Sequence, residues 1–358
     1  MAGQTAARDD APFDVLVFIG RFQPLHNGHA AVMRAALERA GRLVLLVGSS
    51  NLARSPRNPF TFEERKAMAL GLAAEWGAQD RVSVAPLPDV AYNDQAWIAG
   101  VQKAVAPFAG PGARVGLVGH SKDGTSYYLK LFPEWGAVNV AERHAMLNAT
   151  ELRADYLRSA SRIPTPHLCP PSTIAFLERF LLTPEFGWLV EEARFYADYK
   201  AKWGATPYPV FICCADAVVV QSGHILLVER AHAPGRGLLA LPGGHVGPDE
   251  SFRDAAVREL KEETRISDGK GEIPPAMLAS FIVDAKTRLF DAPHRSERGR
   301  VVTQASLFEL PARKRMFAVR GDDDARAARW HALGSLKSES FFEDHAAIIR
   351  EMTGATLD

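Results

Sequence analysis

From Phe13 onward the chain alternates short apolar runs with longer stretches of helical periodicity. The runs at 15–19, 43–47, 82–87 and 115–118 are almost continuously apolar. That is the pattern of strands covered on both faces of a parallel sheet, and a helical stretch follows each one. The pattern predicts an α/β, doubly wound, Rossmann-like domain over 13–183. Such sheets bind ligands at the carboxyl ends of their strands, so chemistry is expected after Ile19, Val47, Leu87 and Val118. A helix over 172–182, with Pro171 before it and Ser172 as its cap, closes this unit. An aromatic segment at 184–206 (Phe186, Trp188, Phe195, Tyr196, Tyr199, Trp203) reads as a packed connector. Beyond it, 210–220 and 224–229 predict a hairpin across Ser222-Gly223. Gly-rich loops, one strong helix over 251–266 and strands near 279–285 and 301–310 complete a second, α+β domain over 207–358.

Composition agrees with two folded domains: 358 residues exceed one domain of about 150. At 47% hydrophobic and 23% charged residues, neither disorder nor a fibrous class fits. The 42 Lys+Arg balance the 42 Asp+Glu, which removes the broad positive field that nucleic acid or an anionic membrane would need. No apolar stretch approaches the roughly 18 residues of a membrane span, and residues 1–12 are too polar for a signal peptide, so a cytoplasmic location is expected. Cys169, Cys213 and Cys214 are expected to be buried, reduced thiols. Composition says nothing of oligomeric partners.

The first strand runs into Gly20-Arg21-Phe22-Gln23-Pro24-Leu25-His26-Asn27-Gly28-His29, with a helix beginning near His29. A strand, a Gly-containing loop and a helix N-terminus make an anion site, because backbone N–H groups and the helix dipole point at the ligand. Gly28 lets the backbone approach closely, and His26 and His29 can grip a triphosphate as charge develops on leaving pyrophosphate. With 11 His and 28 Gly, His-x-Gly-His arises by chance in about 3 of 100 such chains, so its position between strand and helix matters more than its spacing. Thr150 and Arg153 lie three apart, one helical turn, and can meet the same phosphates from the other side. Thr61 with Glu64 forms a capping box, which outweighs a ligand contact for Thr61. His120 and Asp123 follow the fourth strand as further candidates, or as plain turn residues.

These features resemble the nucleotidylyltransferase superfamily, whose signatures are His-x-Gly-His and a later x-x-Thr-x-x-Arg segment. Arg21-Phe22-Gln23-Pro24 and Asn58-Pro59-Phe60-Thr61 resemble nicotinamide mononucleotide (NMN) adenylyltransferases in particular. The resemblance covers roughly 13–180 and implies ATP and NMN as substrates and NAD as product. It also implies nucleotide contacts from Gly20, Arg21 and Phe22 and a nicotinamide site around Tyr92, Asn93 and Trp97, where Trp97 either stacks on the ring or is plain core.

In the second half, Glu259, Glu262 and Glu263 fall at i, i+3 and i+4 of one helix, so three carboxylates crowd one face. A hard divalent cation, Mg²⁺ or Mn²⁺, would neutralise them, polarise a diphosphate and activate water; a solvated acidic face beside Lys261 is the alternative. Gly244, Glu250 and Arg258-Glu259-Leu260-Lys261-Glu262-Glu263-Thr264 up to Ile266 resemble the Nudix signature at every position but one. The exception is Arg265, where the family has glycine; a left-handed backbone there would cost about 1 kcal/mol. The resemblance implies Glu259, Glu262 and Glu263 as metal ligands, Glu250 as support for the metal and Arg258 as the group orienting a catalytic carboxylate. Glu297 and Glu339 are candidates for a base, and the segment 293–300 either supplies arginines to a diphosphate or is a solvated basic loop.

Joined, the halves resemble the bifunctional NMN adenylyltransferase and Nudix hydrolase proteins over nearly the entire chain. This implies NAD synthesis in the first domain and ADP-ribose hydrolysis in the second. The alternatives are a nucleotidylyltransferase for another small phosphate acceptor, and a Nudix domain that acts on a different nucleoside diphosphate or only senses ADP-ribose.

Overall fold

The structure, a computed structural model, describes residues 12–90, 92–119, 131–140, 147–158 and 163–357. It divides into two compact units, Met1–Ala193 and Arg194–Asp358. His120 and Asp123 lie outside the described residues.

The first unit is built on a parallel sheet of β1 (Phe13–Gly20), β2 (Ala40–Val47), β3 (Val82–Pro86), β4 (Val115–Gly119) and β5 (Gly136–Asn139), in the order β3-β2-β1-β4-β5. Successive residues of a strand face opposite sides, and the two sides here meet different cores. Leu16, Phe18, Leu43 and Leu45 join Val32 and Met33 of α1 (Asn27–Leu37) and Met68 and Leu72 of α2 (Phe62–Glu75). Val15, Val17, Val44 and Leu46 join Val101 and Val105 of α3 (Asp94–Val105). Helices thus cover both faces, as a doubly wound sheet requires. Strand β5 has no counterpart in the sequence reading: its four residues alternate half-buried and exposed and form no apolar run.

Two further helices, α4 (Ala149–Arg158) and α5 (Pro171–Phe180), follow. Ser172 does not cap α5. Pro170 holds the N-cap position and Pro171 is already helical, since the missing proline N–H costs nothing in the first turn. Ser172 sits one residue inside, its hydroxyl buried without a partner among the described residues. The aromatic segment is a 20-residue helix, α6 (Pro184–Trp203). Phe186 and Leu189 enter the first unit's core, whereas Tyr199 packs on Ile212, Cys214 and Val301 of the second.

In the second unit the sheet path is β10 (Ile282–Phe290), β11 (Arg300–Glu309), β6 (Phe211–Gln221), β7 (His224–Arg230) and β12 (Ala325–Ala332). Only the β11–β6 pairing on this path is parallel. Two short strands, β8 (Leu239–Ala240) and β9 (Gly243–His245), pair with β7 and β6. The β6–β7 turn is at Ser222-Gly223, both left-handed (φ 48° and 75°), the conformation that a two-residue hairpin needs. Residue 279 belongs to α8 (Pro275–Ser280) rather than to a strand, because Pro274 and Pro275 launch a short helix before β10. Cys213 is exposed, contrary to expectation: side chains alternate along β6, so Cys214 points inward and Cys213 outward. Burial pushes the Cys169 and Cys214 thiols up to about 12. Among the described residues no helix is long and apolar enough to cross a membrane.

Helix α9 (His345–Thr353) seals the second core, and its first residue is buried. The Nδ1 of His345 accepts from the Leu241 N–H at 2.9 Å, and burial, reinforced by Arg295, Arg230 and Arg298, pushes the imidazole well below its ordinary pKa. The folded state therefore keeps His345 neutral where the unfolded chain binds a proton. Stability from this group is complete above pH 6.5 and is lost as pH falls below it. The stability advantage of wild type over His345→Gln is expected to be flat above that pH and to shrink by up to about 1.4 kcal/mol per pH unit below it, measured by urea titration. In the first unit, Thr61 Oγ1 accepts from Glu64 N–H (3.3 Å) and Glu64 Oε2 from Thr61 N–H (2.8 Å). Thr61→Ala is expected to remove about 1 kcal/mol of stability, with Thr61→Asn restoring most of it, both read from the urea midpoint.

Candidate active sites

In the first unit the segment after β1 is fixed by three buried side chains. Gln23 pairs with the Phe60 backbone, donating to its carbonyl (2.9 Å) and accepting from its N–H (3.0 Å), and also donates to Asn58 Oδ1. Arg153 of α4 donates to the Gln23 carbonyl at 2.7 Å and to Thr150 Oγ1 at 3.2 Å. Arg65 of α2 donates to the carbonyls of Arg21 (2.9 Å), Gly48 (2.6 Å), Ser49 (3.2 Å) and Thr61 (3.2 Å), and burial lowers its guanidinium to about 10. Sequence reasoning reached Arg153 through its spacing from Thr150 but missed Arg65, which inside a helical pattern looks like any solvated arginine. The Ser49 N–H and hydroxyl both donate to Asp89, joining the ends of β2 and β3.

His26 is the N-cap of α1, with Nδ1 accepting from Gly28 N–H at 3.1 Å, while Nδ1 of His29 accepts from His26 N–H at 3.3 Å. Since both Nδ1 atoms accept, each neutral ring carries its proton on Nε2. The rings stack with centroids 3.7 Å apart, and Phe22 packs edge-on against His29 at 5.0 Å. A Cβ at Gly28 would lie 2.9 Å from His26 Cε1, so the cap geometry demands glycine there. At Gly20 a Cβ would lie 2.9 Å from the Phe22 ring. The structure thus gathers Gly20, Phe22, His26, Gly28, His29, Thr150 and Arg153 around one loop, and the Arg21 carbonyl is tied to Arg65. The other three candidates lie beyond β3. Tyr92 is left-handed (φ 71°), and Asn93 caps α3, its Oδ1 accepting from Ala96 N–H at 3.0 Å. Trp97 is partly buried and packs beside Phe132.

In the second unit, Ser251 caps α7 (Phe252–Thr264). Arg258 donates from all five guanidinium N–H groups: Nε and Nη2 to Glu250 (3.0 and 2.6 Å), Nη1 to Glu259 (2.8 Å) and Glu262 (2.9 Å), and Nη2 to the His245 carbonyl (3.0 Å). This holds Glu250 below the usual carboxylate range. Burial raises the Glu259 carboxyl, and burial together with the nearby Glu259 charge pushes Glu263 up to about 8, although Glu263 accepts from the Gly243 N–H at 3.1 Å. Glycines 243 and 244 permit this crowding. A Cβ on Gly244 would lie 2.4 Å from Glu259 Oε1, and one on Gly243 would lie 2.3 Å from Asp216 Oδ1. Arg265, the C-cap, is left-handed (φ 42°, ψ 40°), and its Nε donates to Asp322 at 2.7 Å.

Among the described residues no three His, Cys, Asp or Glu side chains are already spaced as a metal cage; Glu259 and Glu262 are turned onto Arg258. The donor set nevertheless suits a hard divalent cation. It is all carboxylate oxygen; Glu263 is buried and Glu259 half-buried, and burial raises both carboxyls, the Glu259 charge adding to the rise at Glu263, a cost that a cation would offset. Of the segment 293–300, Arg295 is buried against Asp344 (2.6 Å) and Arg298 pairs with Glu343 (3.1 Å), so it is not a solvated loop. Glu339 is exposed and Glu297 partly buried.

Comparison with known proteins agrees with this division. Residues 17–99 match the cytidylyltransferase-like family model and residues 214–352 the NUDIX domain model. The nicotinamide/nicotinic acid mononucleotide adenylyltransferase of Acinetobacter baylyi is 39% identical over 170 residues, 47% of this chain and 87% of that protein. A crystal structure of a bifunctional NMN adenylyltransferase/ADP ribose pyrophosphatase from Francisella tularensis superposes with a TM-score of 0.87 at 34% identity, covering 96% of this chain and 99% of that one. A second structure from that organism, complexed with AMP and a Mn ion, gives 0.85 at 32% identity with the same coverage. With both site architectures present and the likeness running through both units, the chain belongs to the family of bifunctional NMN adenylyltransferase/ADP-ribose pyrophosphatases.

Proposed function

We propose that the first unit transfers the adenylyl group of ATP to NMN, giving NAD and pyrophosphate, and that the second hydrolyses ADP-ribose to AMP and ribose 5-phosphate with a divalent cation, Mg²⁺ or alternatively Mn²⁺. The observation that carries this reading is the 34% identity over 96% of the chain to a bifunctional enzyme, with separate phosphate-handling side chains in each unit. Both reactions act on phosphoanhydrides of cytoplasmic nucleotides, which is the compartment this reading implies.

In the first reaction a phosphate oxygen of NMN attacks the α-phosphorus in line, and the bond to the β-phosphate oxygen breaks. The chain's task is to bind and orient the two anions and to stabilise charge on the leaving pyrophosphate. The Nε2–H groups of His26 and His29 and the N-terminus of α1 are the donors for that charge. Arg153 adds a fixed cation, held in place by the Gln23 carbonyl and Thr150. Trp97 and Tyr92, at the carboxyl end of β3, are the groups this reading assigns to the nicotinamide end, with Asn93 as the cap that shapes their helix.

In the second reaction Glu259, Glu262 and Glu263, supported by Glu250, would hold the cation, which when bound polarises the diphosphate and lowers the pKa of water. The remaining work falls to the chain. Arg258 fixes the carboxylates relative to one another, and Gly243 and Gly244 let the substrate-facing backbone lie against them.

Two incubations of the purified full chain with Mg²⁺, one with NMN plus ATP and one with ADP-ribose, are expected to yield NAD and AMP respectively when products are separated chromatographically. Recovery of intact NMN, or of intact ADP-ribose, would refute the corresponding half. His29→Ala is expected to lower NAD formation by about 100-fold or more while ADP-ribose hydrolysis stays within about twofold. Glu263→Gln is expected to do the reverse, and chelation of divalent ions to stop hydrolysis. Loss of both activities in either variant would refute the assignment of one reaction to each unit.

A further inference from the structure

The second site is crowded with negative charge, and most arginines around it are matched by carboxylates. Arg258 is matched to Glu250, Glu259 and Glu262, Arg295 to Asp344, and Arg298 to Glu343. Arg230, the last residue of β7, differs. Among the described residues no carboxylate lies within the 4.0 Å of an ion pair with it. Its Nε donates to the Pro234 carbonyl at 2.7 Å, and its guanidinium lies 4.2 Å over the Phe342 ring. Its two terminal nitrogens make no hydrogen bond to a described residue. Arg230 lines a small cavity, about 40 Å³, with Gly243, Gly244, Glu263, Arg298 and Phe342, and with Asp216 and Asp324, neither of which pairs with it.

The placement is rigid. The Arg230 N–H donates to the Leu238 carbonyl (3.0 Å), and its carbonyl accepts from Gly237 (2.9 Å). Burial, then repulsion from Arg298, lowers its pKa, yet a guanidinium remains charged at neutral pH. A largely desolvated cation with four unspent donors is costly unless an anion completes it, and stacking on Phe342 offsets only part of that cost. A planar fork of donors matches the oxygens of a phosphate or a carboxylate, and phosphate is favoured here because the cavity borders the glycines and the glutamate of the proposed diphosphate site.

We infer that Arg230 is a phosphate-binding residue of the second unit, its terminal nitrogens donating to the diphosphate of the substrate. The inference rests on the reading of this unit as a nucleoside diphosphate hydrolase but not on ADP-ribose being its substrate. The lysine and glutamine variants separate charge and fork geometry from packing.

The test is steady-state hydrolysis by the full-length protein with saturating Mg²⁺, using ADP-ribose, ADP-glucose and diadenosine polyphosphate side by side. For every compound that wild type hydrolyses, Arg230→Gln is expected to raise KM about tenfold or more with kcat within about threefold, and Arg230→Lys to fall between. NAD formation by the same preparations should be unchanged, and the urea midpoint reports whether the second unit is folded. A folded Arg230→Gln protein with wild-type KM, or one that loses kcat alone, overturns the inference. If the glutamine variant unfolds, the lysine variant decides: wild-type KM there overturns it and a raised KM supports it. Hydrolysis of another diphosphate but not ADP-ribose would refute the substrate assignment and leave Arg230 tested on the other compound. No hydrolysis of any of them would overturn both.

Discussion

Loops at the ends of strands expose backbone carbonyls and clustered acids that no sheet ladder satisfies, and in both units arginine guanidinium groups supply the missing donors. Arg65 and Arg153 bind five backbone carbonyls between them, drawn from the segments after β1 and β2 and from the start of α2. Arg258 does the equivalent for three carboxylates and one carbonyl around α7. A buried unsatisfied carbonyl costs on the order of 1–3 kcal/mol, so these contacts decide whether the loops hold a single shape. A lysine could not replace them, since its donors radiate from one atom rather than spreading in a plane. The histidines and glutamates proposed to face substrate lie on or beside the segments that these arginines hold.

With the loops fixed, the two units meet phosphate with opposite electrostatics. The first presents imidazole N–H donors, a helix N-terminus and one positioned arginine, a set that in the proposed reading suits a polyanion without a large local charge. The second presents carboxylates and, in the proposed reading, would take its positive charge from a bound cation and from arginines such as Arg230. A chain that combines these two solutions need not be basic overall, and this one balances 42 basic against 42 acidic residues. Crowding is tolerable in the second unit because Arg258 neutralises the more exposed members, leaving Glu263 with a raised pKa as the deepest of the set.

Legibility in the sequence followed how local the determining physics is. Strands β1 to β4 sit in apolar runs, and the cap at Thr61 is adjacent to the helix it starts, so spacing alone located them; the helix expected over 251–266 takes in Ser251, whereas Ser251 is its cap. The His26–His29 loop and the α7 carboxylates were legible for the same reason. Strand β5 and the two-residue β8 have no pattern of their own and exist because a neighbour offers hydrogen bonds. The start of α5 was misplaced by two residues because serine is the better intrinsic cap, but the prolines before it had already taken the helical backbone. Arg65 and Arg230 were invisible because their roles depend on partners far along the chain: carbonyls after β1 and β2 for one, the Phe342 ring for the other.

The one departure from the Nudix pattern shows which of its positions are rigid. At Gly243 and Gly244 the demand is steric. A Cβ on Gly243 would lie 2.3 Å from Asp216 Oδ1 and 2.5 Å from the Ala215 carbonyl, a backbone contact that no movement of a side-chain tip relieves, whereas the atoms nearest a Cβ on Gly244 all belong to the Glu259 carboxylate, which would have to swing aside. At Arg265 the demand is only conformational. The backbone is left-handed, as a glycine would adopt it, but the side chain runs outward to Asp322 and Glu272 and collides with nothing. Left-handed strain is a fixed and modest cost that one ion pair with a neighbouring loop can offset, whereas the backbone clash at Gly243 has no such remedy. A chain can therefore lose the glycine at the helix end without a collision, while a side chain at 243 would clash with backbone and one at 244 would displace Glu259, one of the proposed metal ligands.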